Sequence, residues 1–150
     1  MSLHESWMKY AIEQARLALA MGEVPVGAII VRENKIISEA FNTSILNSDP
    51  TAHAEINAIR RASNEIKNYR LNGSILYVTL EPCAMCYGAI VQARIAKVVY
   101  GALDSKSGVC SSCINLNESK CFNHKPKVVS GILSDECSRI LKDFFQARRD

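Results

Sequence analysis

The fold of this chain depends on the stretch Ser74-Ile-Leu-Tyr-Val-Thr-Leu80, which runs directly into Glu81-Pro-Cys-Ala-Met-Cys86. The first part is a continuous apolar run, which is typical of a strand buried on both faces of a sheet. Pro82 suits the start of a helix, because the N–H group that proline lacks would have no partner in the first turn. The stretch therefore predicts a buried strand followed at once by a helix, from about Ala84 to Arg94.

The other elements follow from the same kinds of periodicity. Apolar residues at helical spacing predict a first helix from about Ser6 to Met21, and two β-rich runs joined through Glu33-Asn34 predict a hairpin. A hairpin followed by strand–helix–strand units predicts α/β layers around a mixed sheet, in a single domain, residues 1–150. The full prediction comprises strands at 27–32, 35–41, 74–80, 96–101 and 127–130, and helices at about 6–21, 53–64, 84–94 and 134–149.

Three side chains of the kind that binds zinc lie close to predicted helix starts. Cys83 and Cys86 stand at positions i and i+3 and so share one helix face, and the positive end of the helix dipole favours the thiolate form that metals bind. His53 follows Asp49-Pro-Thr51, a turn-and-cap signal for a second helix. One His and two Cys leave the fourth zinc position for water, which is the arrangement of a catalytic site.

Glu55 is placed to act on that water. Zinc lowers the pKa of a bound water from about 15.7 to about 7, and a nearby carboxylate could take its proton and pass it to a leaving group. Residues at i and i+2 do not share a helix face, so we expect His53 to point at the metal and Glu55 to lie beside it. The His-x-Glu and Pro-Cys-x-x-Cys pattern is typical of zinc nucleobase deaminases.

Each half of this pattern has a simpler interpretation. A Cys-x-x-Cys pair could be a redox pair, half of a structural zinc site, or two small buried hydrophobic residues. A His-Ala-Glu sequence alone indicates little. Their combination, with each half in front of a helix-like segment, favours a catalytic zinc ion, one per chain.

The composition is that of an ordinary globular protein. The chain has 150 residues, of which 48% are hydrophobic and 22% charged, enough for one domain with a real core. Its first residues lack the layout of a signal peptide, and the longest apolar runs are too short to span a bilayer. We therefore expect a cytoplasmic protein with no membrane partner and with free or metal-bound cysteines. A net charge of +3 allows a nucleic-acid partner without requiring one.

Further segments carry a family likeness over nearly the whole chain, namely residues 22–27, 49–55, 68–71, 77–86, 131–137 and 143–149. The zinc motif alone would suit any cytidine-deaminase-like enzyme, including guanine or cytosine deaminases. The distinguishing features are Asp104-Ser-Lys-Ser-Gly108 and the Phe-Phe-x-x-Arg-Arg tail. With them, the sequence resembles the bacterial tRNA-specific adenosine deaminases.

The resemblance implies the cytidine-deaminase-like fold, a three-layer α/β/α sandwich with a central mixed sheet of about five strands. It also implies a hydrolase that converts adenosine to inosine at the wobble position of a tRNA anticodon. The partners implied are a tRNA anticodon stem-loop and a second copy of the chain, which would complete each pocket of a homodimer. A loop suits this reaction, because its bases unstack more easily than those of a duplex.

The resemblance implies residue roles as well. His53, Cys83 and Cys86 resemble the zinc ligands of the family. Glu55 resembles its proton shuttle, and Asn42 resembles the residue that hydrogen-bonds the flipped-out base. Simpler interpretations are that Asn42 is a turn former and that the tail arginines are a solvated helix end. The positions that resemble the pocket wall or the RNA contacts are Val24, Pro25, Val26, Ala54, Asp104, Lys106, Ser107, Asn123, Phe145 and Arg149.

The segment 109–122 departs from the family pattern. It contains Cys110, Cys113 and Cys121, with His124 close behind, so a second, structural zinc site could be written for it. We favour free thiols in a loop of variable length, because the spacer between the second and third cysteines fits no common zinc-finger spacing.

Two rival functions remain. A small-molecule deaminase acting on guanine, cytosine or a nucleoside would share the zinc motif. A nucleic-acid-binding module with purely structural zinc would need a fourth protein ligand, for which Cys110 or Cys113 is available, and it would leave Glu55 without a role.

Overall fold

The computed structural model describes residues 1–149 and has the α/β architecture expected from the sequence. The strands are β1 (Gly27–Arg32), β2 (Lys35–Phe41), β3 (Ile75–Leu80), β4 (Lys97–Ala102) and β5 (Lys127–Val129). The helices are α1 (Leu3–Ala20), α2 (Ala54–Ile66), α3 (Ala84–Gln92) and α4 (Ser134–Arg149), with a short 3-10 helix at Leu116–Glu118. Every predicted element is therefore present.

The largest boundary error lies at the start of α1, which begins at Leu3 and not at Ser6. Ser2 and Glu5 form a capping box there: the Glu5 N–H donates to the Ser2 hydroxyl, and the Ser2 N–H donates to the Glu5 carboxylate. These two hydrogen bonds satisfy donors that would otherwise be free in the first turn. Capping by polar residues thus extends the helix beyond its apolar stripe.

The five strands form one mixed sheet in the order β2-β1-β3-β4-β5. β1 is antiparallel to both β2 and β3, whereas β3, β4 and β5 run parallel. Alternate residues of β1 enter two separate cores: Ala28 and Ile30 pack with α2 and α3, and Ile29 and Val31 pack with α1. The predicted three-layer sandwich is thus confirmed. Within residues 1–149, no helix is long and apolar enough to cross a bilayer.

The sheet brings the chemical motifs to one edge. β3 and β4 are parallel and in register, with Leu80 opposite Ala102, so the segments that follow them leave the sheet side by side. The pairing continues one step further, because the Glu81 N–H donates to the Ala102 carbonyl at 2.9 Å. Ligand sites of α/β proteins usually lie at such carboxyl edges.

Gly27 stands where β1 passes closest to α1. A Cβ atom at this position would lie 2.0 Å from the Ala11 carbonyl oxygen and 2.4 Å from the Ala15 nitrogen. Because both are backbone atoms, the helix itself would have to move. We expect Gly27→Ala to lower the free energy of unfolding by about 1–3 kcal/mol, which is the usual cost of an overpacked core. Urea denaturation measures this change.

Gly88 provides the matched control for this prediction. It lies inside α3, where an added Cβ would meet nothing within 4 Å. Gly88→Ala should therefore raise the free energy of unfolding by up to about 1 kcal/mol, through helix propensity alone. Equal stability of the Gly27→Ala variant and the wild type would contradict the close packing of α1 on β1.

Candidate active site

Three metal-ligating side chains converge at the carboxyl end of β3. The Nδ1 atom of His53 lies 3.7 Å from the Cys83 sulfur and 3.6 Å from the Cys86 sulfur, and the three donor atoms all lie within 4.8 Å of one another. A tetrahedral ion with bonds of about 2.0–2.3 Å to nitrogen and sulfur requires similar separations between its ligands. The donor set and its spacing therefore fit a metal ion such as zinc.

Two helix starts position these donors. His53 is the N-cap residue of α2 and Cys83 is the N-cap residue of α3, both with extended backbone, and Cys86 follows in the first turn of α3. The turn before His53 is fixed by Asp49, whose carboxylate accepts hydrogen bonds from the backbone N–H and the hydroxyl of Thr51. Both helix dipoles thus point their positive ends at the cluster, which favours thiolate ligands.

The two thiols interact strongly with each other. A hydrogen bond from Cys86 lowers the pKa of Cys83 to about 4, and the same contact together with burial raises the pKa of Cys86. The hydrogen bond with Cys83 also raises the pKa of His53. The cluster therefore pairs the Cys83 thiolate with the protonated side chains of Cys86 and His53. A metal ion that binds there would displace the shared protons.

Glu55 lies beside the cluster, in the first turn of α2. Only 4% of the residue is exposed, and this burial raises the pKa of its carboxyl group to about 7. A carboxyl group with that pKa can both accept and donate a proton near neutral pH. Its side chain is not among the grouped metal donors, so it remains available for proton transfer.

Two members of the cluster, His53 and Cys83, form part of the wall of a cavity of about 300 Å³. This volume is within the usual range for small-ligand pockets. Many of the residues singled out in the sequence line it: Val24, Val26, Asn42, His53, Ala54, Glu55, Cys83, Asp104 and Ser107. The Oδ1 atom of Asn42 accepts a hydrogen bond from the Ser44 hydroxyl at 3.1 Å, which holds its amide in one orientation.

Other residues singled out in the sequence lie outside this cavity. Cys86 and Pro25 are buried, and Lys106 is exposed in the same loop as Asp104 and Ser107. Asn123 is exposed and accepts a hydrogen bond from the guanidinium group of Arg94 at 3.0 Å. Phe145 and Arg149 are exposed near the end of α4.

The end of α4 is fixed to the turn that leads into the cavity wall. Phe144 is 7% exposed and Phe145 is 45% exposed, so only the first of these two adjacent rings faces the core. The Arg148 guanidinium lies 4.4 Å from the centre of the Phe144 ring and donates to the Gly22 carbonyl at 2.7 Å. Phe145 is therefore presented to solvent by an anchored helix end.

Two buried carboxylates at the cavity were missed by the sequence analysis. Glu23 accepts hydrogen bonds from the backbone N–H groups of Ile45 and Leu46 at 3.1 and 2.6 Å. Burial alone would raise the pKa of Glu81, but hydrogen bonds from Ser112 and from the N–H groups of the following loop lower it overall. For Glu81 the available signal was its position at the end of an apolar strand, where an acidic residue is buried only if it is paired.

The cysteines of segment 109–122 lie outside the metal-binding cluster. Among residues 1–149, His53, Cys83 and Cys86 are the only three such donors close enough together to hold a metal. Cys110 is buried, Cys113 and Cys121 are exposed, and His124 Nε2 lies 2.7 Å from the Ile95 carbonyl oxygen. None of these cysteines belongs to a disulfide or to the group formed by His53, Cys83 and Cys86.

Residues 2–149 match the MafB19-like deaminases. The chain is 51% identical over 147 residues to the tRNA-specific adenosine deaminase of Haemophilus influenzae, spanning 97% of this chain and 85% of that protein. It is 44% identical over 149 residues to the tRNA-specific adenosine deaminase of Bacillus subtilis, spanning 99% and 92%.

Solved structures show the same relationship. A tRNA:A34 deaminase superimposes with a TM-score of 0.89 and 41% identity, over 91% of this chain and 99% of that one. A guanine deaminase from Bacillus subtilis superimposes with a TM-score of 0.66 and 32% identity, over 99% and 94%. With its cytidine-deaminase-like fold and its His/Cys/Cys cluster, the chain belongs to the MafB19-like deaminases and, among them, to the tRNA-specific adenosine deaminases.

Proposed function

We propose that this chain is a single zinc-dependent deaminase domain that converts adenosine to inosine at the wobble position of a tRNA anticodon. The observation that carries the proposal is the His/Cys/Cys cluster in the wall of a cavity, with the buried carboxyl group of Glu55 beside it. Two relatives, 51% and 41% identical to this chain, are a tRNA-specific adenosine deaminase and a tRNA:A34 deaminase. A tRNA substrate also implies a cytoplasmic enzyme.

His53, Cys83 and Cys86 would hold one zinc ion per chain. When bound, zinc supplies a nucleophile at neutral pH by lowering the pKa of its water to about 7. The site offers three protein ligands, and this number suits a catalytic ion, because the fourth position is left for water.

Glu55 performs the proton transfers in this mechanism. Its carboxylate takes a proton from the attacking water and delivers it to N1 of the adenine ring, which makes C6 electrophilic. The oxygen then adds to C6, and Glu55 passes the second water proton to the amino group, which leaves as ammonia. A carboxyl pKa near 7, caused by burial, suits transfer in both directions.

The cavity wall explains how a base could be held. Val24, Val26 and Ala54 provide apolar surface for the ring, and the oriented amide of Asn42 provides a hydrogen-bonding group. A base can reach such a pocket only when it is flipped out of its stack. The target is therefore a loop nucleotide, whose unstacking costs less than that of a paired base.

The anticodon loop would contact the surface around this cavity. The residues proposed for this role are Asp104, Lys106, Ser107, Asn123, Phe145 and Arg149. Exposed aromatic and cationic groups suit splayed bases and phosphates. We also propose a homodimer that completes each pocket, supported by the exposed apolar side chains of Ile45, Leu46 and Leu103, since such side chains often mark an interface.

The alternative is a deaminase of free bases or nucleosides. The similarity to a guanine deaminase favours it. Incubation with a transcribed anticodon stem-loop, followed by sequencing for inosine, tests the RNA substrate, while ammonia release from guanine, cytosine and adenosine tests the alternative. Turnover of a free base without any inosine in the stem-loop would overturn the proposed substrate.

Replacement of Glu55 tests the mechanism. Glu55→Ala should fold and retain its metal, but its single-turnover rate on the stem-loop should fall by at least about 10²–10⁴-fold, because no group remains to move the protons. Glu65→Ala, an exposed position on the same helix, is the control and should be unchanged. Near-normal turnover by Glu55→Ala would remove that residue from its role.

Metal content tests the ligand set. We expect one zinc per chain by elemental analysis, lost in Cys86→Ser because a tetrahedral site with two protein ligands binds weakly. Cys121→Ser should retain all of its zinc, since this exposed cysteine lies outside the cluster. Two zinc ions per wild-type chain, with one lost in Cys121→Ser, would instead establish a second site in the loop.

The two adjacent phenylalanines provide a matched pair of variants. Phe145→Ala should weaken stem-loop binding by about tenfold, within the range of one lost base stack, and should leave the free energy of unfolding nearly unchanged. Phe144→Ala should lower the free energy of unfolding by about 3–5 kcal/mol, because that ring is buried. Unchanged RNA affinity in Phe145→Ala would exclude stacking on this ring.

A further inference from the structure

Glu81 is the residue that joins the metal site to the adjoining loop. It lies between the end of β3 and Pro82-Cys83 and is 2% exposed. Its carboxylate accepts hydrogen bonds from the N–H groups of Asp104 (3.1 Å), Cys110 (3.0 Å), Ser111 (2.8 Å) and Ser112 (3.0 Å), and from the Ser112 hydroxyl. We call residues 104–112 the substrate loop.

The substrate loop is shaped around this carboxylate. A Cβ atom at Gly108 would lie 2.3 Å from the Glu81 carboxyl carbon and 2.6 Å from the Asp104 carbonyl oxygen. Only glycine at this position lets the loop close around Glu81. The Val109 N–H donates to the Pro82 carbonyl at 3.1 Å, so the loop is also tied to the backbone of the metal-binding segment.

The anchored end of the loop carries the residues that face the cavity. Asp104 is held through its N–H by Glu81, and its own carboxylate accepts hydrogen bonds from the N–H groups of Lys106 and Ser107, both at 3.1 Å. Asp104 and Ser107 line the cavity beside Cys83. A shift at Glu81 would therefore move the turn 104–107 relative to the metal ligands.

We propose that Glu81 is a positioning residue for RNA: it sets the distance between the metal-binding segment and the Asp104–Ser107 turn, and thereby determines recognition of the anticodon loop. The inference rests on the proposed function, which it deepens. It concerns binding and not the proton transfers, because the Glu81 carboxylate is fully engaged by the loop, whereas Glu55 lies beside the cluster.

Glu81→Gln replaces the carboxylate by an amide with little change of side-chain volume. The new amide can keep its oxygen toward Cys110, Ser111 and Ser112 and donate its NH2 group to the Ser112 hydroxyl. The Asp104 N–H then faces a donor where it had an acceptor, so that this contact is lost. The variant should therefore release Asp104 selectively. Ser112→Ala is a milder variant, because it removes one donor and leaves the Asp104 contact.

The experiment compares steady-state kinetics on the anticodon stem-loop. For Glu81→Gln we expect KM to rise about tenfold, the effect of one lost charge-assisted hydrogen bond, with kcat within about twofold of wild type and zinc content unchanged. Ser112→Ala should raise KM less. Glu118→Gln, an exposed position in the same connection, is the control and should match wild type. Hydrogen exchange of the Asp104 amide should be faster in Glu81→Gln, whereas the amides of Cys110, Ser111 and Ser112 keep their acceptor and should exchange as in wild type.

A double-variant cycle separates positioning from general destabilisation. If Glu81 acts through Asp104, the KM increase of Glu81→Gln should largely vanish in an Asp104→Ala background. Additive increases, or a fall in kcat with loss of zinc, would overturn the inference in favour of a structural role. An unchanged KM in Glu81→Gln would overturn this inference alone, whereas absence of inosine formation by the wild type would overturn the proposed function itself.

Discussion

The site depends on the convergence of two helix N-termini at the carboxyl end of one buried strand. α2 presents His53 and α3 presents Cys83 as N-cap residues, and β3 delivers the chain directly to the second of these positions. Dipoles and unpaired N–H groups at helix starts favour anionic ligands. Both helix starts therefore favour the thiolate form of the cysteines that lie next to His53.

Three buried carboxylates surround the cavity, and their environments separate their roles. Glu23 and Glu81 accept hydrogen bonds from backbone N–H groups of neighbouring loops, and at Glu81 hydrogen bonds of this kind, together with that of Ser112, lower the pKa of the carboxyl group in spite of its burial. Burial dominates at Glu55 and raises the pKa of its carboxyl group to about 7. The first two carboxylates thus shape the walls, and the third is poised to exchange a proton.

Much of the fold could be predicted because its signals are local. The apolar run of β3, the hairpin through Glu33 and Asn34, and the helical stripes of α1 and α4 are all readable from periodicity. Both turn residues of the hairpin have positive φ angles, 52° and 60°, as a tight turn between two strands requires. The start of α1 was misplaced because its capping box consists of polar residues outside the stripe.

The amino-acid sequence by itself determined the order of the elements and the residue types for the chemistry, since ligand spacing and apolar periodicity are properties of neighbouring residues. Only the tertiary structure decided which polar residues meet across long separations. It brought Glu81 under the loop that contains Asp104 and Ser112, left Cys110, Cys113 and Cys121 outside the metal-binding cluster, and buried Phe144 while exposing Phe145. The physical reason is that the pairing of a buried polar group depends on the register of strands and the path of loops, which no local pattern encodes.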